Sequence, residues 1–394
     1  MQENSPSEIN INTVTTSIRS NDLAREVYGV LGIPIDVTDM AAVLRKIEAA
    51  AASGEPFLIS TSNLNFLVAS QSDAEFRESL LISDLCSADG IPIVWLARLM
   101  GVPIKERVAG SDLFEALKTV QDSTRRLKVF LFGGAEGIAA AACRKLNAEA
   151  GGMTCAGSFY PGFCAVDEMS TDAILNTINS SNADFLVVAL GAKKGQAWLL
   201  RNHDRLRIPI RAHLGAAINF QADTLRRAPK LMQKWGLEWL WRIKTEPQLW
   251  RRYWFDGIVL LQILLTRVIP LLILNQWYRL KWGRKEQDLL INRADEHKFV
   301  ILSLHGIATV QNVGKVLPHF RDAAAAAKDI VINFTDTRLI DARFLGLLLM
   351  LGKQLSRNKL QLRFTGISPL VEWIFRLNGF GFLLRTKTEN VARA

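Results

Sequence analysis

The chain has 394 residues, of which 49% are hydrophobic and 22% are charged; this length predicts two or three domains, and the composition excludes a disordered protein. The formal net charge of +10 favours partners that carry negative charge, such as nucleic acid, anionic lipid or phosphorylated substrates. The cysteines form no CxxC pair and no zinc-ligand spacing, so we expect four reduced thiols in a cytoplasmic protein: Cys86, Cys143, Cys155 and Cys164.

The first part of the chain predicts a polar lead-in followed by an α/β domain. Residues 1–26 are polar, are predicted to be disordered and have no apolar core of a signal peptide. From 27 to 225, apolar runs alternate with helical stretches, and the predicted buried strands are 56–61, 128–133, 184–191 and 208–215. This alternation predicts a Rossmann-like parallel sheet with ligands bound at the carboxyl ends of its strands.

Polar side chains near these strand ends are candidates for substrate binding, and each also has an ordinary structural explanation. Thr61, Asn63 and Asn65 could hydrogen-bond a sugar or a nucleotide, or simply stabilise a turn. Asp89 could act as a general base on a hydroxyl, or belong to an Asp-Gly turn. Arg107, which precedes a predicted helix, could meet a phosphate or a neighbouring carboxylate.

Two glycine turns extend this pattern. Gly133 and Gly134 follow a predicted strand and would let backbone N–H groups approach a phosphate at a helix N-terminus. The sequence is not GxGxxG, and strand–glycine–helix turns are common in α/β proteins. A second turn at Gly191 carries Lys193 and Lys194, which are either phosphate partners or solvated lysines.

Residues 226–282 form a basic, tryptophan-rich tail with the apolar run 258–274. Arginine and tryptophan together are typical of a membrane interface. Single-stranded nucleic acid is the rival partner, but the apolar run favours the membrane and argues against nucleic acid. A spanning helix needs about 20 apolar residues. Arg267 and Pro270 interrupt this shorter run, so a helix lying in one leaflet is preferred over a full span.

The last part of the chain predicts a second, smaller α/β domain. Residues 283–296 are polar and are predicted to be a linker, and residues 297–394 contain the second domain. Its predicted strands are 298–306, 329–336 and 360–366, with a helix over 344–358.

The ordered motifs between about Leu31 and Tyr253 resemble the WecG/TagA/CpsF family of glycosyltransferases. They are TSN (61–63), ADG (88–90), ERVAGSDLF (106–114), FGG (132–134), YPGF (160–163) and the tail pattern RRAPK…GLEW…R…EP…RRY. The resemblance implies an inverting, metal-independent hexosyltransferase without a cofactor. It would move N-acetylmannosamine, its uronic acid or glucose from a UDP-sugar to a saccharide on undecaprenyl diphosphate, in cell-surface polysaccharide synthesis. The implied location is the cytoplasmic face of the plasma membrane, as a peripheral or monotopic protein.

The resemblance assigns roles to residues of the first domain. Asp89 matches the family's proposed general base, and Thr61 and Asn63 match polar residues of the active-site cleft. The family's Gly-x-Pro-x-Gln-Glu turn reads Gly-Ala-Lys-Lys-Gly-Gln here, from Gly191 to Gln196, so the glutamine is displaced by one position. The donor contacts expected at this turn are therefore altered. The alternative function is a non-catalytic, membrane-associated scaffold.

The resemblance also covers the tail arginines. Arg242 and Arg252 match arginines that hold the diphosphate. The arginine expected between them is replaced by Leu249, and Arg251 is a candidate substitute.

Residues 297–394 resemble a STAS domain, a small α/β module of sulfate transporters and anti-sigma-factor antagonists. The signature is LIDARFLGLLLMLGKQL, in which Arg343 stands at the position of the regulatory phosphoserine. That replacement removes the phosphorylation switch. The resemblance therefore implies a platform that docks a protein partner.

Overall fold

A computed structural model describes residues 22–120, 126–149, 151–282 and 288–385. The predicted disorder of 1–21 and the predicted linker over 283–287 lie outside these described residues. The rest of the predicted lead-in is folded rather than disordered, because Asp22 and Leu23 form part of a 3₁₀ turn and are buried. Leu23 packs into the core of the C-terminal domain, a distant contact that local sequence does not reveal.

The larger domain begins with an antiparallel hairpin of β1 (Val27–Val30) and β2 (Ile33–Asp36). Leu31 and Gly32, the two residues of its turn, both have positive φ, as the tightest hairpin turns require. Every residue of both strands is buried. The hairpin is therefore enclosed by other parts of the chain.

The core of this domain is a six-stranded parallel sheet, which confirms the predicted Rossmann-like fold. Its strands are β3 (Phe57–Ser62), β4 (Leu85–Ala88), β5 (Leu127–Gly133), β6 (Met153–Phe159), β7 (Phe185–Ala189) and β8 (Ile210–His213). They are arranged in the order β4-β3-β8-β7-β5-β6. Strand β7 is apolar throughout and wholly buried, as expected of a parallel strand covered on both faces.

Nine helices connect and cover the strands in this described part of the domain. They are α1 (Met40–Ser53), α2 (Leu64–Ser72), α3 (Ala74–Leu81), α4 (Ile91–Leu99), α5 (Gly110–Thr119), α6 (Ile138–Ala148), α7 (Asp172–Asn179), α8 (Ala192–Arg201) and α9 (Ala217–Gln221). Two of them begin where an aspartate accepts a backbone N–H, at Asp39 for α1 and Asp73 for α3.

The basic tail folds into helices. They are α10 (Lys230–Lys234), α11 (Glu238–Thr245), α12 (Trp250–Ile263), a π-helical turn (Leu264–Val268) and α13 (Ile269–Trp282). The π-helical turn lies just before Pro270, whose missing N–H interrupts the α-helical hydrogen bonds. The chain continues as a helix on both sides of this point.

The segment Pro247–Tyr278 is long and apolar enough to cross a membrane by length and composition, and an 18-residue stretch within it has a mean hydropathy of 2.3. It is nevertheless tied to the folded domains at both ends. Asn65 donates to Asp256 near its start at 3.3 Å. Tyr278 donates to the Arg338 carbonyl near its end at 2.8 Å. The helix therefore lies along the two domains.

The middle of this helix also faces the protein. Arg267, which interrupts the apolar run, donates to Gln71 Oε1 at 2.5 Å. Ile263, Val268 and Leu271 are buried in a core that the helix shares with the larger domain. One side of the helix is thus packed, and Arg267 belongs to that side.

The C-terminal domain is a second α/β unit, as predicted. Its strands are β9 (Leu289–Asp295), β10 (Phe299–Ala308), β11 (Asp329–Asn333), β12 (Thr337–Ile340) and β13 (Leu362–Thr365), and its helices are α14 (Val313–Ala325), α15 (Ala342–Arg357) and α16 (Pro369–Leu377). β10 pairs in parallel with β11 and β12 and antiparallel with β9. β9 falls within the predicted linker 283–296 and corrects it, because these residues are held in place by pairing along β10.

The start of α15 packs onto the β1–β2 hairpin. Arg343 Nη1 donates to the Val27 carbonyl at 2.8 Å, and its guanidinium lies 5.7 Å from the centre of the Tyr28 ring. A Cβ at Gly346 would lie 2.0 Å from the Val27 carbonyl oxygen, so this close approach requires glycine. The position assigned to a phosphoserine is therefore buried against the same chain.

A buried charge cluster joins the same two domains further along α15. Lys353 Nζ lies 2.7 Å from Asp84 and 3.3 Å from Asp22. Arg357 contacts the same two carboxylates at 2.7 and 2.8 Å. Asp84 directly precedes β4, so the C-terminal domain is anchored at one end of the strand whose other end leads to Asp89.

The cysteines differ from the prediction of four reduced thiols. Cys143 and Cys155 form a disulfide, because α6 and β6 bring their Cα atoms within 5.2 Å. Cys86 and Cys164 are free.

Candidate active site

The carboxyl ends of β3, β4, β7 and β8 and the turn after β5 open into one cavity of about 1050 Å³. The tail helices α11 and α12 supply the opposite wall. A cavity of this size is large enough for a substrate with several rings. The sheet and the tail, which are separate in sequence, therefore build one site.

Asp89 lies in this cavity directly after β4. Its backbone N–H donates to the Ser62 carbonyl at 2.8 Å, and its Oδ2 accepts a bond of 3.5 Å from Gly110 N. Burial raises the pKa of the Asp89 carboxyl to about 6, although Arg107 nearby acts in the opposite direction. A carboxylate with such a pKa is well suited to accept a proton near neutral pH. The Asp-Gly turn is also present, since Gly90 has a φ of +90°.

The three polar residues at the carboxyl end of β3 and just after it, Thr61, Asn63 and Asn65, all line the cavity. Thr61 is buried, and Asn63 caps α2 by accepting the Phe66 N–H at 3.1 Å. Asn65 is bonded to Asp256 of α12. The structural and the substrate-binding explanations are therefore compatible for these residues.

Arg107 also lines the cavity, and it bonds to carboxylates. It contacts Asp112 at 2.9 Å and Glu238 of α11 at 2.8 Å. Arg227 of the tail forms a further ion pair with Asp112. These contacts hold the tail against the larger domain beside Asp89. Arg107 thus joins the two walls of the cavity.

The tail arginines divide into two groups. Arg242 and Arg252 line the cavity, as predicted, with Arg242 paired to Glu246 at 2.7 Å. Arg251 is exposed, lies over the Trp250 ring and is not a lining residue, because it projects from the other side of α12. It therefore does not replace the missing arginine. Two further arginines, both in the RRAPK motif, line the cavity but were not among the predicted site residues: Arg226 and Arg227.

The glycine turns contribute less than predicted. Gly134 lines the cavity, but its N–H donates to the Ala189 carbonyl at 2.7 Å and is therefore already used. Gly133 is not a lining residue; a Cβ there would lie 2.6 Å from the Ala189 carbonyl oxygen, so it serves the packing of β5 against β7. Gly191 and Lys194 do line the cavity.

Gln196 lies outside the cavity. Its side chain is fully buried in α8 and donates to Ser60 Oγ at 3.2 Å. A shift of one residue along a helix turns a side chain by about 100°, which carries Gln196 away from the site. His213 at the end of β8 is a lining residue that the sequence analysis did not select.

The model of the glycosyl transferase WecG/TagA/CpsF family matches residues 28–271, which is more than half of the chain. The chain belongs to this family. The STAS domain model matches residues 291–394, so this glycosyltransferase carries a C-terminal STAS domain.

Two relatives share its first domain. An N-acetylglucosaminyldiphosphoundecaprenol N-acetyl-beta-D-mannosaminyltransferase of Bacillus spizizenii is 26% identical over 194 residues, covering 49% of this chain and 73% of the relative. The enzyme of the same description from Bacillus subtilis is 25% identical over 195 residues, covering 50% and 74%. A solved STAS domain of an antisigma-factor antagonist from Rhodobacter sphaeroides covers 21% of this chain and 92% of its own, with 18% identity and a TM-score of 0.17.

Proposed function

We propose that this glycosyltransferase moves a hexose from a UDP-sugar to a saccharide on undecaprenyl diphosphate, with inversion and without a metal ion. The observation that carries the proposal is the position of Asp89, a half-buried carboxylate in a cavity whose opposite wall bears arginines. The names of the Bacillus relatives support N-acetylmannosamine as the transferred sugar and a diphosphoundecaprenol-linked acceptor. N-acetylmannosamine is therefore the first donor sugar to test.

The proposed reaction is a single displacement. Asp89 accepts the proton of the acceptor hydroxyl, whose oxygen forms a bond to the anomeric carbon of the donor. The bond from that carbon to the diphosphate breaks, and UDP leaves with its electron pair. Attack opposite the leaving group inverts the anomeric centre. Cationic side chains can stabilise the charge that develops on the diphosphate, and those lining the cavity are Arg107, Lys194, Arg226, Arg227, Arg242 and Arg252.

The proposed location is the cytoplasmic face of the plasma membrane. The packed side of the long tail helix leaves an apolar side exposed, including Trp254, Leu261, Leu265 and Ile273. Indole rings and aliphatic side chains of this kind favour the boundary of a bilayer. A helix lying on the membrane beside the cavity would bring a lipid-linked acceptor to Asp89.

The test of the proposed function is transfer by Asp89→Asn. This substitution keeps the size of the side chain but removes its basicity, so we expect turnover to fall about 10²–10⁴-fold with the fold intact. Radiolabelled sugar transfer from UDP-N-acetylmannosamine to a soluble lipid analogue gives the rate. Asp172→Asn is the matched control, because its side chain is 91% exposed. Near wild-type transfer by Asp89→Asn would show that Asp89 is not the base.

A further inference from the structure

His213 presents a polar atom that no protein group satisfies. The residue ends β8, is 7% exposed and lines the cavity. Its Nε2 is buried and has no hydrogen-bond partner among the described residues. Buried polar atoms without a partner are rare in folded proteins and call for an explanation. Because the ring itself lines the cavity, a ligand group that shifts the imidazole slightly would supply the missing partner.

The space that His213 occupies exists because of Gly195. A Cβ at Gly195 would lie 2.2 Å from His213 Cδ2 and 2.9 Å from Nε2. Gly195 stands at the position where the family's turn carries its glutamine, and the glutamine of this chain, Gln196, points away to Ser60. Any side chain at position 195 would collide with the imidazole. The ring has therefore taken the place in which that glutamine side chain would lie.

The chemistry of the ring defines what it can bind. Burial lowers the pKa of His213 to about 4, so the imidazole is neutral at physiological pH. A neutral imidazole has one donor and one acceptor nitrogen, which matches a hydroxyl or an amide. A diphosphate instead requires cations, and arginines elsewhere in the cavity provide them. The ring is therefore directed to an uncharged part of the ligand.

We propose that His213 is a donor-specificity residue, whose Nε2 hydrogen-bonds a hydroxyl or amide group in an uncharged part of the nucleotide-sugar. This inference rests on the proposed function, since it needs a nucleotide-sugar in the cavity. His213 positions the donor and takes no part in proton transfer.

The experiment measures binding of UDP and of several UDP-sugars to the full-length protein by calorimetry. The variants are His213→Ala and Gly195→Ala, the second of which displaces the ring without removing it. We expect each to weaken binding of the preferred UDP-sugar about tenfold, a typical loss for one hydrogen bond. The ratio of affinities between the preferred UDP-sugar and the other UDP-sugars should also decrease. The KM for the acceptor should stay unchanged. A general loss of structure would change this KM as well.

The two arms of the measurement locate the contact. If UDP alone binds as tightly to the variants as to wild type, the partner is on the sugar; if UDP weakens equally, the partner is on the uridine. The double variant Gly195→Gln/His213→Gly puts a glutamine side chain into the space of the imidazole and should recover donor affinity. Unchanged UDP-sugar affinity and preference in folded His213→Ala would overturn the inference alone. A wild-type protein that binds no UDP-sugar would overturn the proposed function as well.

Discussion

Asp89 shows how one position can satisfy a structural and a chemical requirement together. Its backbone is fixed by β3 and its neighbour Gly90 forms the turn into α4, while its carboxylate remains in the cavity. The cavity walls partly desolvate the carboxylate, and this desolvation is the main reason that its pKa is raised to about 6. The same enclosure that would shield a substrate from water thus raises the pKa of the proposed base.

The raised pKa predicts how activity depends on pH. A base must be ionised to accept a proton, so kcat/KM should fall as the pH falls below about 6, by about tenfold per unit. Rates with a soluble acceptor between pH 5 and 8 measure this. Arg107 lowers the pKa, so Arg107→Gln should move the midpoint to higher pH. A rate that stays constant down to pH 5 would contradict the assignment of Asp89.

The arginines of the cavity lead to a prediction about metals. Because they can stabilise the leaving diphosphate, we expect full transfer activity in excess EDTA. Rates measured before and after dialysis against EDTA, with magnesium or manganese added back, provide the check. Activity that is lost in EDTA and returns with either ion would contradict the proposal.

Some site residues could be predicted from the sequence and others could not. Thr61 lies at the carboxyl end of a strand and Asn63 and Asp89 follow strands, and the carboxyl ends of parallel strands form the ligand edge of a sheet. The prediction that Gln196 lines the site was wrong, because a shift of one residue along α8 turns its side chain away from the cavity. His213 could not be predicted as a site residue, because a single histidine at the end of an apolar strand belongs to no recognisable sequence motif.

At the scale of elements, the tail helix depends on contacts that sequence cannot supply. Seven strands of the two domains were predicted from apolar runs bounded by polar turns, namely β3, β5, β7, β8, β10, β11 and β13. The strands β1, β2, β4, β6, β9 and β12 were not predicted. In the sequence, Arg267 argued against a helix that spans the membrane, since a cation within an apolar run is costly in lipid. Its bond to Gln71, nearly two hundred residues away in sequence, places it on the packed side instead. Only the tertiary fold separates the packed side from the exposed one.

The exposed side of the helix leads to a prediction about membranes. The variant combines Leu261→Ser, Leu265→Ser, Ile269→Ser and Ile273→Ser, all exposed positions. We expect wild type to sediment with anionic vesicles and resist high salt, because apolar burial is not screened as charge is. The variant should stay in the supernatant, keep activity on a soluble acceptor and lose most activity on a lipid-linked one.

The control for this prediction is Leu290→Ser, an exposed leucine outside the tail. It should sediment like wild type. If wild-type protein itself stays in the supernatant with anionic vesicles at low salt, the membrane proposal is wrong.

At the scale of the whole molecule, the STAS domain is part of the transferase architecture. Leu23 and Val27 from the start of the chain are buried in the same core as the C-terminal sheet. Lys353 holds two buried carboxylates, Asp22 and Asp84, from the other domain. Removing residues 297–394 would therefore expose the hairpin. These contacts indicate that the larger domain needs the STAS domain for its stability.

The charge cluster leads to a prediction about stability. Burial alone would raise the pKa of Asp84, but Lys353 and Arg357 outweigh it and hold that pKa below its usual value. Lys353→Ala leaves buried carboxylates undercompensated and should cost about 3–5 kcal/mol of unfolding free energy, measured by denaturant titration. Arg376→Ala, at a 66% exposed side chain, is the control. Equal stability of the two variants would contradict the structural role of the cluster.

The same contacts determine how the contribution of the charge cluster to the free energy of unfolding changes with pH. A carboxyl whose pKa is lower in the folded than in the unfolded state stabilises the fold above the unfolded pKa. This contribution is lost as the pH falls through the folded pKa. Wild type should therefore lose the stability due to Asp84 below about pH 4, whereas Lys353→Ala has less to lose.

The contact between the β1–β2 hairpin and α15 has a consequence for biosynthesis. The hairpin leaves the ribosome early, but the residues that enclose it, from Arg343 onward, are made more than three hundred residues later. Until then β1 lacks the helix that packs onto it, and contacts so distant in sequence form slowly. A chain interrupted before α15 would carry that surface uncovered, where proteases and chaperones can recognise it. Burial of β1 in the larger domain is therefore complete only when α15 of the C-terminal domain has been made.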